Sequence, residues 1–400
     1  MKRVLVLNQY FPPDTAATAK MVAALVEFLS RHFKVTVLAG RPSYNPTERH
    51  PFYLWRREKH HVVMVERVGS TTLPRHRMRW RLSNYLSYLA LALPRALTIP
   101  TDVLIAMTDP PIVCLIGAIV AALRKCPFIY NIRDLHPDMA IAAGLISSGP
   151  LTECWEKLHR WVMKRANWVV VLGEDMKERV KAKGVPQEKI VIIRDGVPIP
   201  HKLPPSDHPL VREIRCGFNF VAMHAGNIGF YGAWETLILA TRELGDRNFG
   251  LIFVGDGAFK ERLVQIASAN NIPNIRFLPF RPKEEVPFVL ISPDIHIVTL
   301  RKGMEGLVVP SKLYPILAMG KPVLVVASEE SDAARIVKRT GCGLVADPDS
   351  PSSVADVLRW AKRNKGVLWE MGQRAREIAL EFSEEVQFQK FVHLILDSAK

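Results

Sequence analysis

A chain of 400 residues exceeds one ordinary domain, because single hydrophobic cores stop growing at roughly 250 to 300 residues. Its 48% of hydrophobic and 23% of charged residues exclude a disordered chain and predict two folded α/β domains. The formal net charge of +15 indicates an anionic partner, which total charge alone leaves open as nucleic acid, lipid headgroup or phosphorylated substrate.

Short runs of β-branched and aliphatic residues alternate with helix-length amphipathic segments in the first half of the chain. This alternation is typical of parallel sheets covered by helices on both faces. The longest apolar run, 112–123, spans twelve residues, which indicates a buried helix rather than a bilayer span. Strands are predicted near 4–7, 34–38, 62–67, 103–106, 128–131, 168–172 and 190–193.

A proline-rich segment, 197–207, interrupts this pattern and predicts a linker or domain edge. The alternation then resumes, whereas residues 351–400 have the pattern of consecutive helices without a strand. We predict an N-terminal domain over 1–200, a C-terminal domain over 201–380 and a terminal helix over 381–400 that packs back on the N-terminal domain. Strands of the second domain are predicted near 220–224, 251–254, 275–278, 295–298 and 323–326.

The first apolar run is much too short for the core of a signal peptide, so we expect a cytoplasmic protein. Five cysteines are scattered, with no two close enough in sequence to form a metal-ligand pair. We expect them to be buried thiols in a reducing compartment. They are Cys114, Cys126, Cys154, Cys216 and Cys342.

Two polar segments follow predicted strands of the first domain. The loop from Asn8 leads to a helix predicted to begin near Thr15 or Ala16, and helix N-termini at the carboxyl ends of strands attract anions. An ordinary strand-to-helix loop is the alternative. A later strand is followed by Asp134, His136 and Asp138. Because such groups are costly to bury unpaired, they line a cleft, which we favour, or form a salt-bridge cluster.

The second domain has two segments suited to an anion. Gly226 and Gly229 let backbone amides approach a phosphate or sugar without interference from a Cβ atom. Ser311 is predicted to cap a helix, so that the free amides of its first turn and the Lys312 ammonium converge on a diphosphate. A capped surface helix with a solvated lysine is the alternative. Residues 255–257 are predicted to be a strand-to-helix turn rather than a site.

Four segments occur together and in order: QYFPP at 9–13, DLHPD at 134–138, GNIG at 226–229 and PSKLY at 310–314. With them the sequence resembles, over essentially its whole length, the retaining family-4 glycosyltransferases of the GT-B fold. The resemblance is greatest to the subgroup that makes colanic acid, O-antigen and related surface polysaccharides. It implies two Rossmann-like domains with parallel sheets and a catalytic cleft between them.

The resemblance also implies what each domain binds. The C-terminal domain would bind a nucleotide-sugar, in particular a UDP-sugar, and the N-terminal domain a lipid-linked glycan acceptor. A hexosyltransferase of this kind would need no metal or cofactor, because a helix dipole and basic side chains take over the diphosphate. Retention would proceed by front-face attack, with the leaving phosphate accepting the acceptor's proton.

Site residues are carried over from the family by position. The implied catalytic residues are Glu305, Asp134 and His136. The implied donor-binding residues are Gly226, Asn227, Gly229, Gly306, Ser311, Lys312 and Leu313, and the implied acceptor-side residues are Tyr10, Pro13, Thr15 and Asp138.

The chain departs from the family pattern in several places. Pro315 stands where the family commonly has a second Glu that holds the nucleotide ribose, so ribose recognition is unassigned. The family's usual spacing places its first acid at Leu307, so Glu305 fits only with a shift of two positions. After the glycine loop the family often has a basic residue or Gln, where this chain has Phe230 and Tyr231.

A basic and aromatic segment precedes the predicted helix 82–97. Basic residues beside Trp and Leu suit a helix that lies on anionic lipid, here the inner face of the plasma membrane, where a lipid-linked acceptor would be reached. A core helix with a solvated basic edge is the alternative. The predicted membrane residues are Arg75, Arg77, Arg79, Trp80 and Arg81, and one helix face is predicted to hold Tyr85, Leu86, Tyr88, Leu89 and Leu93.

Three functions other than glycosyl transfer could account for parts of this sequence. A UDP-sugar 2-epimerase or hydrolase can use the same two-domain architecture and needs no acceptor. A basic nucleic-acid-binding protein would account for the charge, but the sequence has no recognised nucleic-acid motif, so nucleic acid is not an expected partner. A dehydrogenase is disfavoured, since neither domain has a Gly-x-Gly-x-x-Gly turn followed by an acidic residue about twenty positions later.

Overall fold

The computed structural model describes residues 1–44, 50–74 and 78–398. These residues form two compact units. The first consists of Met1–Ile141, Ile146–Arg194 and the segment that begins at Glu384, and the second consists of Ala142–Leu145 and Asp195–Ser383.

The described residues hold fourteen strands, eight of them in the first unit. These are β1 Arg3–Leu7, β2 Lys34–Gly40, β3 Trp55–His60, β4 Val63–Val68, β5 Val103–Ala106, β6 Phe128–Asn131, β7 Trp168–Val171 and β8 Ile190–Ile192. The six strands of the second unit are β9 Phe220–Ala225, β10 Phe249–Val254, β11 Ile275–Leu278, β12 Ile295–Thr299, β13 Val323–Val326 and β14 Gly343–Ala346.

Helices connect the strands throughout the described residues. They are α1 Ala17–Leu29, α2 Met78–Thr98, α3 Val113–Arg124, α4 Asp138–Ala142, α5 Pro150–Arg165, α6 Glu174–Ala182, α7 Pro209–Ile214, α8 Trp234–Leu244, α9 Lys260–Ala269, α10 Val286–Ile291, α11 Leu313–Ala318, α12 Asp332–Thr340, α13 Pro351–Arg363, α14 Lys365–Ile378 and α15 Glu384–Asp397.

The first unit is built on an eight-stranded sheet with the order β3-β4-β2-β1-β5-β6-β7-β8. Neighbouring strands are parallel except β3 and β4, which are antiparallel. Central strands such as β5, with the sequence VLIA, are buried along their whole length because helices cover both faces. The last helix, α15, belongs to this unit, and its Phe388 lies edge-on to Phe28 of α1 with ring centroids 5.8 Å apart.

Two edge strands, β3 and β14, were not predicted from the sequence. Strand β3 has the charged sequence WRREKH and pairs with β4, where Arg57 bonds Glu66 at 2.6 Å and Arg67 bonds Glu58 at 2.6 Å. Strand β14 is short and begins with a glycine. An edge strand needs no continuous apolar pattern, and its charges oppose pairing with further chains. Hydrophobic periodicity therefore carries little signal at either edge.

The second unit is built on a six-stranded parallel sheet with the order β11-β10-β9-β12-β13-β14. The chain moves outward from β9 to β11 and then returns to the other side of β9 to form β12. In such sheets ligands bind outside the carboxyl ends of the strands where the order reverses, here between β9 and β12. Two parallel-sheet α/β domains are thus confirmed.

The cysteine prediction is wrong at one position. Cys114 and Cys342 are buried, Cys126 and Cys216 are partly buried, and all five thiols are free. Cys154 is exposed because it lies on the outer face of α5.

Candidate functional site

Two glycine loops meet at the carboxyl edge of the second unit's sheet. Gly226 follows β9 with φ 135°, while Gly255 and Gly257 follow β10 with φ 144° and 157°. The N–H of Gly226 donates to the carbonyl of Val254 at 2.8 Å, and the N–H of Ile228 donates to the carbonyl of Asp256 at 2.8 Å. The backbones of the two loops are therefore bonded directly to each other.

Glycine is required where these loops touch. A Cβ atom on Gly255 would lie 2.1 Å from the carbonyl oxygen of Gly226, and one on Gly257 would lie 2.3 Å from that of Ile228. The left-handed φ values exclude most L side chains independently of this crowding. Residues 255–257, predicted to be only a turn, thus support the loop that contains Gly226 and Gly229.

Lys312 extends its amine to the same glycine loop. Its Nζ lies 3.0 Å from Nε2 of His224 and 5.7 Å from the ring centroid of Tyr231. A Cβ atom on Gly226 would be 3.5 Å from Nζ. Although the residue keeps some exposure, burial of the ammonium lowers the pKa of Lys312 to about 7. Within the described parts of the chain no carboxylate forms an ion pair with it, so its charge is available to an anion.

His224 determines how the Lys312 amine is held. This residue of β9 is fully buried, and its Nδ1 lies 3.3 Å from the carbonyl oxygen of Ile297 on β12. Because a carbonyl can only accept, Nδ1 carries the proton and Nε2 is left to accept from the ammonium. Burial, with the charge of Lys312 next, lowers the pKa of His224 well below its usual value, so the imidazole is neutral.

His224 and Tyr231 belong to this site, although neither was predicted to bind the donor. A histidine inside the apolar strand FVAMHA, next to a glycine loop, was the available signal for His224. The phenol of Tyr231 donates to the carbonyl of Asn227 at 2.9 Å, so this side chain braces the loop.

The remaining donor-side residues lie on the segment that follows β12. Glu305 is half-buried, and its Oε2 accepts from the N–H of Gly303 at 2.8 Å. Gly306 has φ 69°, and Leu313 is buried at the start of α11.

The prediction that Ser311 caps a helix is wrong. Helix α11 begins at Leu313, the N-cap position is Lys312, and no side chain caps the helix. The N–H of Leu313 instead donates to the carbonyl of Pro310 at 3.0 Å, which makes a turn of the residues where a cap was expected. A helix of six residues has few free amides to offer, so the Lys312 amine and the glycine loops dominate this site.

In the first unit, hydrogen bonds to Asp14 hold the loop after β1 in place. Asp14 is buried, and its Oδ1 accepts from the N–H groups of Ser43 and Tyr44 at 2.9 and 2.7 Å. Tyr10 is buried as well, while Pro13 and Thr15 are exposed. The polar end of this loop is fixed in place, and its small outer residues face solvent.

His136 is buried and Asp138 is partly exposed, and both lie in a polar cluster. The ring of His136 stacks on Trp155 with centroids 5.6 Å apart, and burial, with smaller effects of His159 and Arg81, lowers its pKa to about 3. Lys183 bonds both Asp138 and Glu156 at 2.7 Å. Asp138 therefore takes part in the salt-bridge arrangement that the sequence left open. Asp134 accepts the N–H of His136 through its backbone carbonyl at 3.1 Å.

Arg75 and Arg77 of the basic segment lie outside the described residues. Arg79 is exposed, with its guanidinium 4.9 Å from the ring centroid of Trp80, whereas Arg81 is half-buried and close enough to lower the pKa of His136.

The prediction that Leu86 and Tyr88 share one face of α2 is wrong. Tyr88 is fully buried and donates to the carbonyl of Leu38 at 2.9 Å, because this side of the helix packs on the sheet. Leu82 and Leu86 lie on the opposite side and are each 52% exposed. Across residues 1–44, 50–74 and 78–398, no helix has the length and apolar character needed to cross a bilayer.

Two known protein families match this chain, one over each half. Residues 16–196 match the glycosyl transferase 4-like domain family, and residues 219–378 match the glycosyl transferases group 1 family. WbjE of Pseudomonas aeruginosa, a probable glycosyltransferase, is 25% identical over 264 residues, which is 64% of this chain and 65% of that relative. The chain thus spans slightly less than two thirds of WbjE.

Two further matches cover more of the chain. WcaI of Escherichia coli K12, a putative colanic acid biosynthesis glycosyl transferase, is 22% identical over 389 residues, which is 90% of this chain and 92% of the relative. The crystal structure of HepE from Anabaena in complex with UDP and glucose matches with a TM-score of 0.75 at 18% identity, covering 99% of this chain and 100% of the other. At that identity HepE shows a shared fold.

Proposed function

Because this chain is a glycosyltransferase, with a glycosyl transferase 4-like domain followed by a glycosyl transferases group 1 domain, we propose that it moves a hexose from a UDP-sugar to a lipid-linked glycan acceptor with retention of anomeric configuration. The observation that carries the proposal is the Lys312 amine held against the Gly226 loop at the edge where the sheet order reverses.

A diphosphate fits this edge for a physical reason. An ammonium withdrawn from water favours a nearby dianion, since the anion restores the interaction that burial removed. Asn227 and Gly229 offer backbone amides beside it, and Gly226, which lacks a Cβ atom, lets the diphosphate approach the loop closely. Gly306 and Leu313 belong to the segment that presents Lys312. With His224 accepting one N–H of the ammonium, the other two remain for phosphate oxygens. The site therefore binds the diphosphate without a metal.

UDP is the proposed nucleotide. HepE, whose fold this chain shares, binds UDP and glucose in its crystal structure. Phe280 is 59% exposed beside Gly255 and offers an aromatic surface to the base. The side chain of Pro315 has no polar group that could hold the ribose. We therefore assign the ribose contacts to the backbone around the glycine loops.

In the proposed reaction the protein positions the donor and the acceptor and stabilises the charge that develops on the leaving phosphate. Glu305 binds donor-sugar hydroxyls, and the leaving phosphate, neutralised by Lys312, accepts the proton of the attacking hydroxyl. Asp134 and the neutral His136 orient the acceptor as hydrogen-bond partners. Tyr10, Pro13, Thr15 and Asp138 shape or support the acceptor side of the first unit.

The acceptor is proposed to be presented by a membrane. WcaI is named for colanic acid biosynthesis, which supports an acceptor from surface polysaccharide assembly. Arg79, Trp80 and the exposed Leu82 and Leu86 form the described part of a surface suited to anionic lipid. We place the protein at the cytoplasmic face of the plasma membrane, with Arg75 and Arg77 adding charge.

The test is calorimetric titration of the purified protein with UDP, GDP and NAD in the presence of EDTA. UDP is expected to bind, and Lys312→Ala to weaken its binding at least tenfold without altering the circular dichroism spectrum. Failure of every nucleotide to bind would remove the donor site from this edge. In a turnover assay with UDP-hexoses and a lipid-linked acceptor, release of free sugar alone, or of an epimer, would identify a hydrolase or epimerase instead.

A further inference from the structure

A group of metal-ligating side chains lies beside the turn between β3 and β4, at the edge of the first unit's sheet. His60 ends β3 and His61 begins the two-residue turn to β4. Glu27 lies near the end of α1, which starts beyond the carboxyl end of β1 and returns along the sheet. Glu27 and the hairpin turn therefore meet at the amino ends of the parallel strands.

The three side chains present their donor atoms to one point. Nε2 of His60 lies 3.8 Å and Nε2 of His61 lies 3.7 Å from Oε1 of Glu27. One donor atom from each residue lies within 4.8 Å of the other two. In a tetrahedral zinc site with bonds of about 2.0 to 2.1 Å, ligand atoms are about 3.3 Å apart. Small side-chain rotations would close this triangle around an ion.

The charge at this place favours a dication. Glu384, the first residue of α15, lies within electrostatic range of Glu27, so two carboxylates are close together here. Two imidazoles and carboxylate oxygens are the ligand set that zinc and similar borderline cations prefer.

The backbone of the turn also bears on the site. His61 has φ 52°, a left-handed conformation in a two-residue hairpin where Asn or Gly is the usual choice. A histidine here brings a second imidazole beside the first, with ring centroids 4.7 Å apart. The turn thus holds a residue suited to metal binding rather than the one best suited to the turn.

We propose that Glu27, His60 and His61 form a binding site for one zinc-class divalent cation, with Glu384 as a neighbouring carboxylate. The bound ion fastens the edge hairpin β3–β4 to α1. The hairpin turn lies at the amino end of β4, and the ring of His60 lies edge-on to the buried Phe11 of the loop after β1, with ring centroids 5.2 Å apart. None of the three proposed ligands is among the residues proposed to bind the donor or the acceptor.

The first test is titration of the full chain with zinc chloride, after purification without a polyhistidine tag and removal of metal with EDTA. The wild type is expected to bind one zinc ion. Glu27→Gln and His61→Ala should each weaken binding at least tenfold, while His201→Ala, which removes an exposed imidazole from the second unit, should not. Absence of saturable binding, or equal affinity of all four proteins, would overturn the proposal.

A second variant separates metal binding from folding. His61→Asn places a residue suited to φ 52° in the turn and removes the ligand, so the variant should fold at least as well as the wild type. Zinc is expected to raise the Tm of the wild type and to leave that of His61→Asn unchanged. An equal rise in both proteins would show that the ion binds elsewhere.

Discussion

The Nζ atom of Lys312 lies 3.0 Å from Nε2 of His224, a residue 88 positions earlier in the chain. The imidazole is fixed by the Ile297 carbonyl on the neighbouring strand, and it places the ammonium over the Gly226 loop. This pair defines a site for one anionic ligand whose charge state depends on pH, and its consequences can be measured.

The affinity for a diphosphate should fall as pH rises above neutrality. The pKa of Lys312 is lowered to about 7, so the ammonium is charged below this value and loses its charge above it. UDP-glucose is the suitable probe, because its diphosphate does not titrate in this range. We expect Kd to rise by up to about tenfold per pH unit above pH 7. Lys312→Arg, which stays charged, should give a flatter profile.

The free protein should respond to pH in the opposite direction. A lysine whose folded pKa lies below its unfolded value binds fewer protons in the folded state between those two values. Its contribution to stability therefore increases as pH rises from about 7 towards 10. We expect Tm measured without nucleotide to increase less over this range in Lys312→Met than in the wild type. If Tm changed with pH in the same way in both proteins, the Lys312 amine would be solvated.

Replacing His224 should weaken the donor site more than the fold. His224→Ala removes the acceptor that orients Lys312, and an orphaned buried polar group costs about 1 to 3 kcal/mol, or roughly 5- to 150-fold in kcat/KM. His296→Ala is the matched control, since His296 is also buried in this sheet and its Nε2 lies 2.7 Å from the Leu290 carbonyl. Equal loss of UDP-glucose affinity in both variants would argue against a specific role.

A methyl group on Gly255 should separate the two glycine loops. The added Cβ would lie 2.1 Å from the Gly226 carbonyl oxygen, at a φ of 144° that L residues avoid. Gly255→Ala is expected to lower stability by about 1 to 3 kcal/mol and to weaken UDP binding. Gly366→Ala is the control, because its Cβ would meet nothing within 4 Å. Denaturant unfolding measures the first effect, and retention of wild-type stability by Gly255→Ala would contradict the packing described.

The outer face of α2 should determine binding to lipid. Leu82→Ser together with Leu86→Ser removes two exposed apolar side chains, which we expect to reduce binding to vesicles containing phosphatidylglycerol by about tenfold or more. Leu380→Ser, at a residue 59% exposed in the second unit, serves as the control. Sedimentation with vesicles gives the bound fraction. Unchanged sedimentation of the double variant would place the lipid surface elsewhere.

Much of the fold could be predicted because buried parallel strands are continuous apolar runs. The buried strands β5, β6 and β13 have the bounds that the sequence predicts, and so does the partly buried edge strand β11. The charged β3 was missed, since an edge strand is recognised by its hydrogen-bonded neighbour rather than by its own pattern. Ser311 was misplaced because the start of α11 depends on the turn from Pro310, which residue preferences alone do not specify.

The sequence by itself determined the two α/β domains, the glycine loops and the presence of a lysine that could meet an anion, because each is a local pattern of residue types. Only the tertiary structure decided which side chains meet. His224 reaches Lys312 because the sheet order places β9 beside β12, and Arg81 approaches His136 rather than facing outward like Arg79. Sequence periodicity describes one segment at a time, whereas these contacts join segments whose spacing is set by strand order and helix packing.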